Sequence, residues 1–106
     1  MADRAVLQDI ATQDVTELMK KDASYGGSWK RRGGVGAFMM LARKWDRLEK
    51  QCEEQGYDVF KAVLQDDSIA DGVIDDLRDL RRYLMLVESH VHEVQKTAVK
   101  VSDDHG

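Results

Sequence analysis

Along this chain apolar residues return every three or four positions, the spacing that keeps one stripe of a helix out of water. Between Asp3 and Lys21 the stripe is Leu7, Ile10, Ala11, Val15, Leu18 and Met19. From about Val35 to Gln55 it is Val35, Phe38, Leu41, Ala42, Trp45, Leu48 and Cys52, and Gly56 is placed to cap the end. A third stripe, Ile69, Val73, Ile74, Leu77, Leu80, Leu84, Val87 and Val91, follows Asp67 and Ser68, either of which suits a helix N-cap. Between the last two, Val59 to Leu64 reads either as one or two helical turns or as a short apolar cover for the core.

Nothing interrupts these helices, because the chain has no proline. Five of its eight glycines, Gly26, Gly27, Gly33, Gly34 and Gly36, fall within residues 24–36, which makes that segment the principal loop. No segment alternates as a strand does, and no internal repeat is visible. After Val94 the pattern fades, so 101–106 is expected to be a frayed tail. The fold expected is all-α, a single domain over 1–100 built as a bundle of three main helices plus a short one.

A length of 106 residues fits one domain with one core. Apolar residues make up 42% and charged residues 34%, but the signs nearly cancel at −4, which excludes disorder driven by net charge. A pI near 5.3 excludes a general binder of nucleic acid or of acidic membranes. Cys52 is the single cysteine, so no intrachain disulfide forms and a cysteine-based zinc site lacks ligands. No apolar run approaches the ~20 residues that span a bilayer, and the N-terminal residues lack a signal peptide's apolar stretch. A cytoplasmic protein is expected. Met39, Met40 and Leu86 lie off the main stripes and suit contact with a partner copy, although exposed apolar residues are also common on monomers.

Acids carry the first chemical signal. Asp46, Glu49 and Glu53 share one edge of the second stripe, with Glu49 inside it, while Asp71, Asp75 and Asp79 recur every four residues on the last helix, Asp76 beside them and Tyr83 continuing the line. On two helices that pack together these acids can form one carboxylate cluster suited to Mg²⁺ or Mn²⁺. The same acids also read as a solvated face steadied by Arg43, Lys50, Arg78 and Arg82.

The loop carries the second. Tyr25, Ser28, Trp29, Lys30, Arg31 and Arg32 join two aromatic rings and three consecutive cations to glycine-rich backbone ahead of a helix start. Such a segment holds phosphate through N–H groups and cations while a ring stacks on a base; it reads equally as a linker with Trp29 tucked into the core. Lys44 and Arg47, three apart, share one surface and either brace the acids or meet a phosphate. His90 and His92 point to different sides of their helix.

Taken together, Tyr25-Gly26-x-Ser28-Trp29, Arg43-Lys44-x-Asp46-Arg47-Leu48 and Asp71-x-x-x-Asp75-x-x-x-Asp79-Leu80-x-x-Tyr83 resemble the small all-α, nucleotide-modification-associated domains of phages and bacteria. The resemblance covers about residues 20 to 87. More distantly, Asp46-x-x-Glu49 and Asp76-x-x-Asp79 are similar to the paired acids of MazG-like nucleoside triphosphate pyrophosphohydrolases. What this implies is a Mg²⁺- or Mn²⁺-dependent nucleotide-binding domain, a (d)NTP pyrophosphohydrolase that releases pyrophosphate and leaves (d)NMP, in phage or bacterial nucleotide metabolism and, if phage-encoded, in the host cytoplasm. Metal would sit on Asp46, Glu49, Asp71, Asp75, Asp76 and Asp79, with Glu49 and Asp79 catalytic. Tyr25, Ser28, Trp29, Lys30, Lys44, Arg47 and Tyr83 would bind substrate. A homo-oligomer, dimer or tetramer, is implied, its site near a subunit boundary. The alternative is a non-catalytic helical module that binds a nucleotide or a protein.

Overall fold

The computed structural model describes the backbone of residues 1–25 and 28–105 and the side chains of 1–21 and 29–98. Helix α1 spans Arg4–Tyr25, α2 Gly33–Cys52, α3 Val59–Ala62 and α4 Asp67–His105, with 3₁₀ turns at Ser28–Lys30 and Glu53–Gln55. The described residues contain no strand, so the expected all-α class is what is observed.

Local chemistry sets the helix ends. The Asp3 carboxylate accepts from the Ala5 N–H at 2.9 Å and opens α1. Asp58 does the same for α3 by accepting from the Lys61 N–H at 3.0 Å. On α4 the acceptor is Asp66, bonded to the Ile69 N–H at 2.9 Å, so the cap lies one residue before the expected Asp67 or Ser68. Gly56 closes the turn after α2 as expected, at φ 63°, donating its N–H to the Glu53 carbonyl at 3.1 Å. The open reading of Val59 to Leu64 resolves as one short helix, α3. Two boundaries differ: α2 starts at Gly33, inside the expected loop, and α4 stays helical through 101–105, the expected tail.

A small core sits where α2, α3 and α4 meet. Leu48, Cys52, Ala62 and Val73 are buried there, with Val59, Val63, Ile69 and Leu80 packed around them. Helices α2 and α4 run antiparallel and share the largest contact surface. The Gln51 side-chain amide of α2 lies over Gly72 of α4, 2.7 Å from where a Cβ would stand.

Much of each stripe is not covered within the chain. On α1, Leu7, Val15 and Met19 are exposed, Ile10 and Leu18 are half-buried, and the residue removed from water is Asp14, 1% exposed. On α2, Val35, Phe38 and Trp45 are exposed, while Leu48 and Cys52 are buried. Met39 is exposed as well, whereas Met40 and Leu86 are half-buried.

Because Gly56 occupies the left-handed region, Gly56→Ala is expected to destabilise the domain by about 1 kcal/mol, the cost of placing a Cβ at positive φ. Urea unfolding at neutral pH checks this; an unchanged midpoint would contradict it.

Candidate functional site

Helix α1 lies across the α2/α4 pair because of one ion cluster. Arg81 donates from Nε to Asp14 Oδ2 and from Nη2 to Oδ1 at 2.8 Å, and Arg82 donates from Nε to Oδ1 at 2.8 Å. The hydrogen bond from Arg81 is the largest influence on Asp14 and holds its carboxyl below the ordinary value; burial pushes it up but is outweighed. The same bond raises Arg81.

With α1 held there, a polar cleft of about 670 Å³ opens between the three helices. Thr12, Gln13, Thr16 and Glu17 line it from α1, Arg47 from α2, and Asp75, Asp76, Arg78, Asp79 and Arg82 from α4. At its edge Lys44 donates to Asp79 Oδ2 at 3.2 Å, and the same ammonium stands 5.1 Å from the centre of the Tyr83 ring. Arg47 Nε lies 3.7 Å from Oδ1 of Asp76, whose side chain is nearly buried. Arg78 Nη1 lies 3.9 Å from Asp75 Oδ1. Arg47 and Asp76 also line a second hollow of about 860 Å³, between the α2 C-terminus and the start of α4, so this ion pair forms a partition between the two.

Of the residues expected from the sequence, Lys44, Arg47, Asp75, Asp76, Asp79 and Tyr83 are therefore brought together. Asp46, Glu49 and Asp71 are exposed and line none of these hollows. Glu49 was expected inside the buried stripe; it lies on the outer edge of α2, because the packing against α4 runs through Leu48 and Cys52 while Trp45 stays exposed. Among the described residues no group of three or more His, Cys, Asp or Glu is arranged to hold a metal. The acids that α4 brings to the cleft have Lys44, Arg47 and Arg78 as counter-ions. Carboxylate oxygens are the right donors for Mg²⁺ or Mn²⁺, but they face a cation only once those ion pairs open.

The aromatic loop lies elsewhere. Trp29 meets His90 edge-on at 5.9 Å, with Lys30 Nζ 6.0 Å from its ring, and both line a smaller hollow of about 340 Å³ with Met19, Met85 and Leu86. Arg31 and Arg32 are exposed. The Tyr25 and Ser28 side chains lie outside the described residues. No helix among the described residues is long and apolar enough to cross a membrane.

Pattern reading did not single out Thr12, Gln13, Thr16, Asp14 or Arg81. The signal for Asp14 was its place midway between Ile10 and Leu18, an acid at the four-residue step of an apolar stripe, with two adjacent arginines available on α4. No family model, curated protein or solved structure matches the chain.

Replacing Asp14 by Asn leaves two guanidinium groups facing a weaker acceptor, and a loss of about 3 kcal/mol in unfolding free energy is expected. Since the folded-state value of Asp14 is lowered, its contribution is fully present above pH ~4 and is lost as pH falls through the lowered value. Wild type should therefore lose stability in acid by a step that D14N lacks. Equal stability of the two proteins at pH 7 would show that the cluster does not hold α1.

Proposed function

We propose that this protein is a nucleotide-binding domain whose cleft takes the phosphates of a (d)NTP with Mg²⁺ or Mn²⁺, and that it works as a (d)NTP pyrophosphohydrolase in phage or bacterial nucleotide metabolism. The observation that supports this reading is the convergence of Lys44, Arg47, Asp75, Asp76 and Asp79 in and beside one cleft with Arg78 and Arg82. Alternating arginines and aspartates are the side chains that a metal-bound triphosphate requires, cations for its oxygens and carboxylates for its metal. Guanidinium groups of Arg47, Arg78 and Arg82 bind phosphate by paired N–H donors, and Lys44 adds a point charge. Asp75, Asp76 and Asp79 are the carboxylates that would hold the metal, and Lys44, Arg47 and Arg78, their present counter-ions, are the cations that would meet the phosphates. Bound there, such an ion would supply Lewis-acid activation of a water and of a phosphoryl oxygen. Thr12, Gln13 and Thr16 offer neutral hydrogen bonds from the α1 wall to ribose, deoxyribose or base.

On this reading the protein acts in the cytoplasm, of the host if phage-encoded, as a homo-oligomer. A second reading, a non-catalytic module that binds a nucleotide or a protein, is favoured by the pairing of Asp76 and Asp79 with Arg47 and Lys44, an arrangement that serves binding without turnover.

A panel of NTPs and dNTPs with Mg²⁺ or Mn²⁺, scored for pyrophosphate and monophosphate, separates the two. Release of pyrophosphate with at least one nucleotide is expected, reduced tenfold or more by D79N. Calorimetric binding without products would leave the module; neither binding nor products would end the nucleotide reading. Arg47→Ala is expected to weaken nucleotide binding about tenfold, through lost phosphate contact.

A further inference from the structure

Past the Asp14 joint the contact between α1 and α4 changes character. Val15, Leu18 and Met19 of α1 and Met85 and Leu86 of α4 line one hollow of about 340 Å³. The 3₁₀ turn closes a side of it with Trp29, which is half-buried and meets the His90 ring edge-on at 5.9 Å. No residue lines both this hollow and the polar cleft, so the two are separate sites along α4. Three distant parts of the chain come together to build the second one.

Its chemistry is the reverse of the cleft's. The walls are aliphatic side chains, two methionine thioethers and an indole, soft surfaces that pack well against a flat ring. At the rim stands Lys30, whose Nζ lies 6.0 Å from the centre of the Trp29 ring and which makes no ion pair among the described residues. The cations of the cleft differ in this respect, since Lys44, Arg47, Arg78 and Arg82 each hold an aspartate. The carboxylate that lines the hollow, Glu93, is engaged by His90, with Nδ1 and Oε2 3.1 Å apart.

These features select a class of ligand. A polyphosphate needs several cations, and its charge would be stripped of water against apolar walls. A cationic ligand is repelled by Lys30 and finds Glu93 already engaged. What complements the hollow is a single negative charge at one end of a flat apolar body. Its volume lies at the lower end of the roughly 300–1,000 Å³ of small-molecule sites, which suits one or two fused rings.

We propose that this hollow binds a small aromatic carboxylate, its ring lying among Trp29, Met85 and Leu86 and its charge meeting the Lys30 ammonium. The site stands apart from the nucleotide cleft and does not depend on that reading. A ligand there touches α1, the 3₁₀ turn and α4 at once, and one that binds only the folded chain raises its melting temperature.

Titration calorimetry with 2-naphthoate, 2-naphthylmethanol and 2-naphthylmethylammonium, one ring carrying three different charges, tests this. The carboxylate is expected to bind once per chain with Kd below ~1 mM, and about tenfold more tightly than the ammonium. Lys30→Gln changes an exposed side chain and is expected to weaken the carboxylate about fivefold, the worth of one exposed ion pair, while leaving the alcohol unchanged. In a Trp45→Phe protein Trp29 is the sole tryptophan, and its emission is expected to change as the carboxylate saturates. Arg47→Ala is expected to bind the carboxylate as wild type does. Absence of binding, equal affinity for carboxylate and ammonium, or a K30Q protein that binds like wild type would overturn the proposal. So would loss of binding in R47A, which would put the probe in the cleft. Nucleotide is titrated separately, so failure of one site is read apart from failure of the other.

Discussion

Everything on the cleft side depends on the buried contact of Asp14 with Arg81 and Arg82. Helix α1 half-buries Ile10 and Leu18, and Asp14 is its one fully buried side chain among the described residues. A carboxylate removed from water costs several kcal/mol unless charge and hydrogen bonds replace its hydration. Here three N–H donors from two guanidinium groups do so. The result is a joint that is strict in geometry, because a planar fork accepts a carboxylate in few orientations, and so α1 has one seat on α4.

That seat makes the cleft. Without α1, Arg47, Asp76 and Asp79 would lie on an open two-helix surface, where exposed ion pairs contribute about 0–1 kcal/mol each and organise little. The third wall lowers the local dielectric, and at a lower dielectric the alternating charges both attract more strongly and discriminate more sharply between ligands. Arg82 belongs to both structures, bonded to Asp14 and lining the cleft, so the joint and the binding surface are coupled through one side chain.

Sequence periodicity made the helices, the Gly56 turn and the acid row of α4 legible, because each depends on neighbours within a few residues. The acids that α4 brings to the cleft, Asp75, Asp76 and Asp79, could be read from α4 alone. Glu49 could not be placed correctly, since apolar residues cover a wide arc of α2 and spacing does not tell which part of the arc meets α4. The contact through Leu48 and Cys52 turns Glu49 outward. Asp14 was hidden for a related reason: a stripe of apolar residues invites the assumption that it is the buried one, whereas on α1 the pairing across 67 residues of sequence decides orientation.

Helix lengths explain why one face of α2 and α4 stays bare. At 1.5 Å per residue α4, with 39 residues, is about 58 Å long, while α2, with 20, is about 30 Å. α1, with 22 residues, is long enough to cover α2 but crosses on the polar side, and α3 is a single turn at one end, so neither lies along the apolar side. A lone amphipathic hairpin with apolar residues on two sides has one side too many for a single cover. In this chain the polar side took the intramolecular helix, because the buried charge of Asp14 has a partner only there, and the apolar side was left with Phe38, Trp45, Leu77 and Leu84 in water. The hydrophobic effect is non-directional and can be satisfied by any apolar surface, whereas Asp14 can be satisfied only by its arginines. The specific interaction therefore fixes where α1 goes, and the non-specific one leaves the apolar side of α2 and α4 uncovered within the chain.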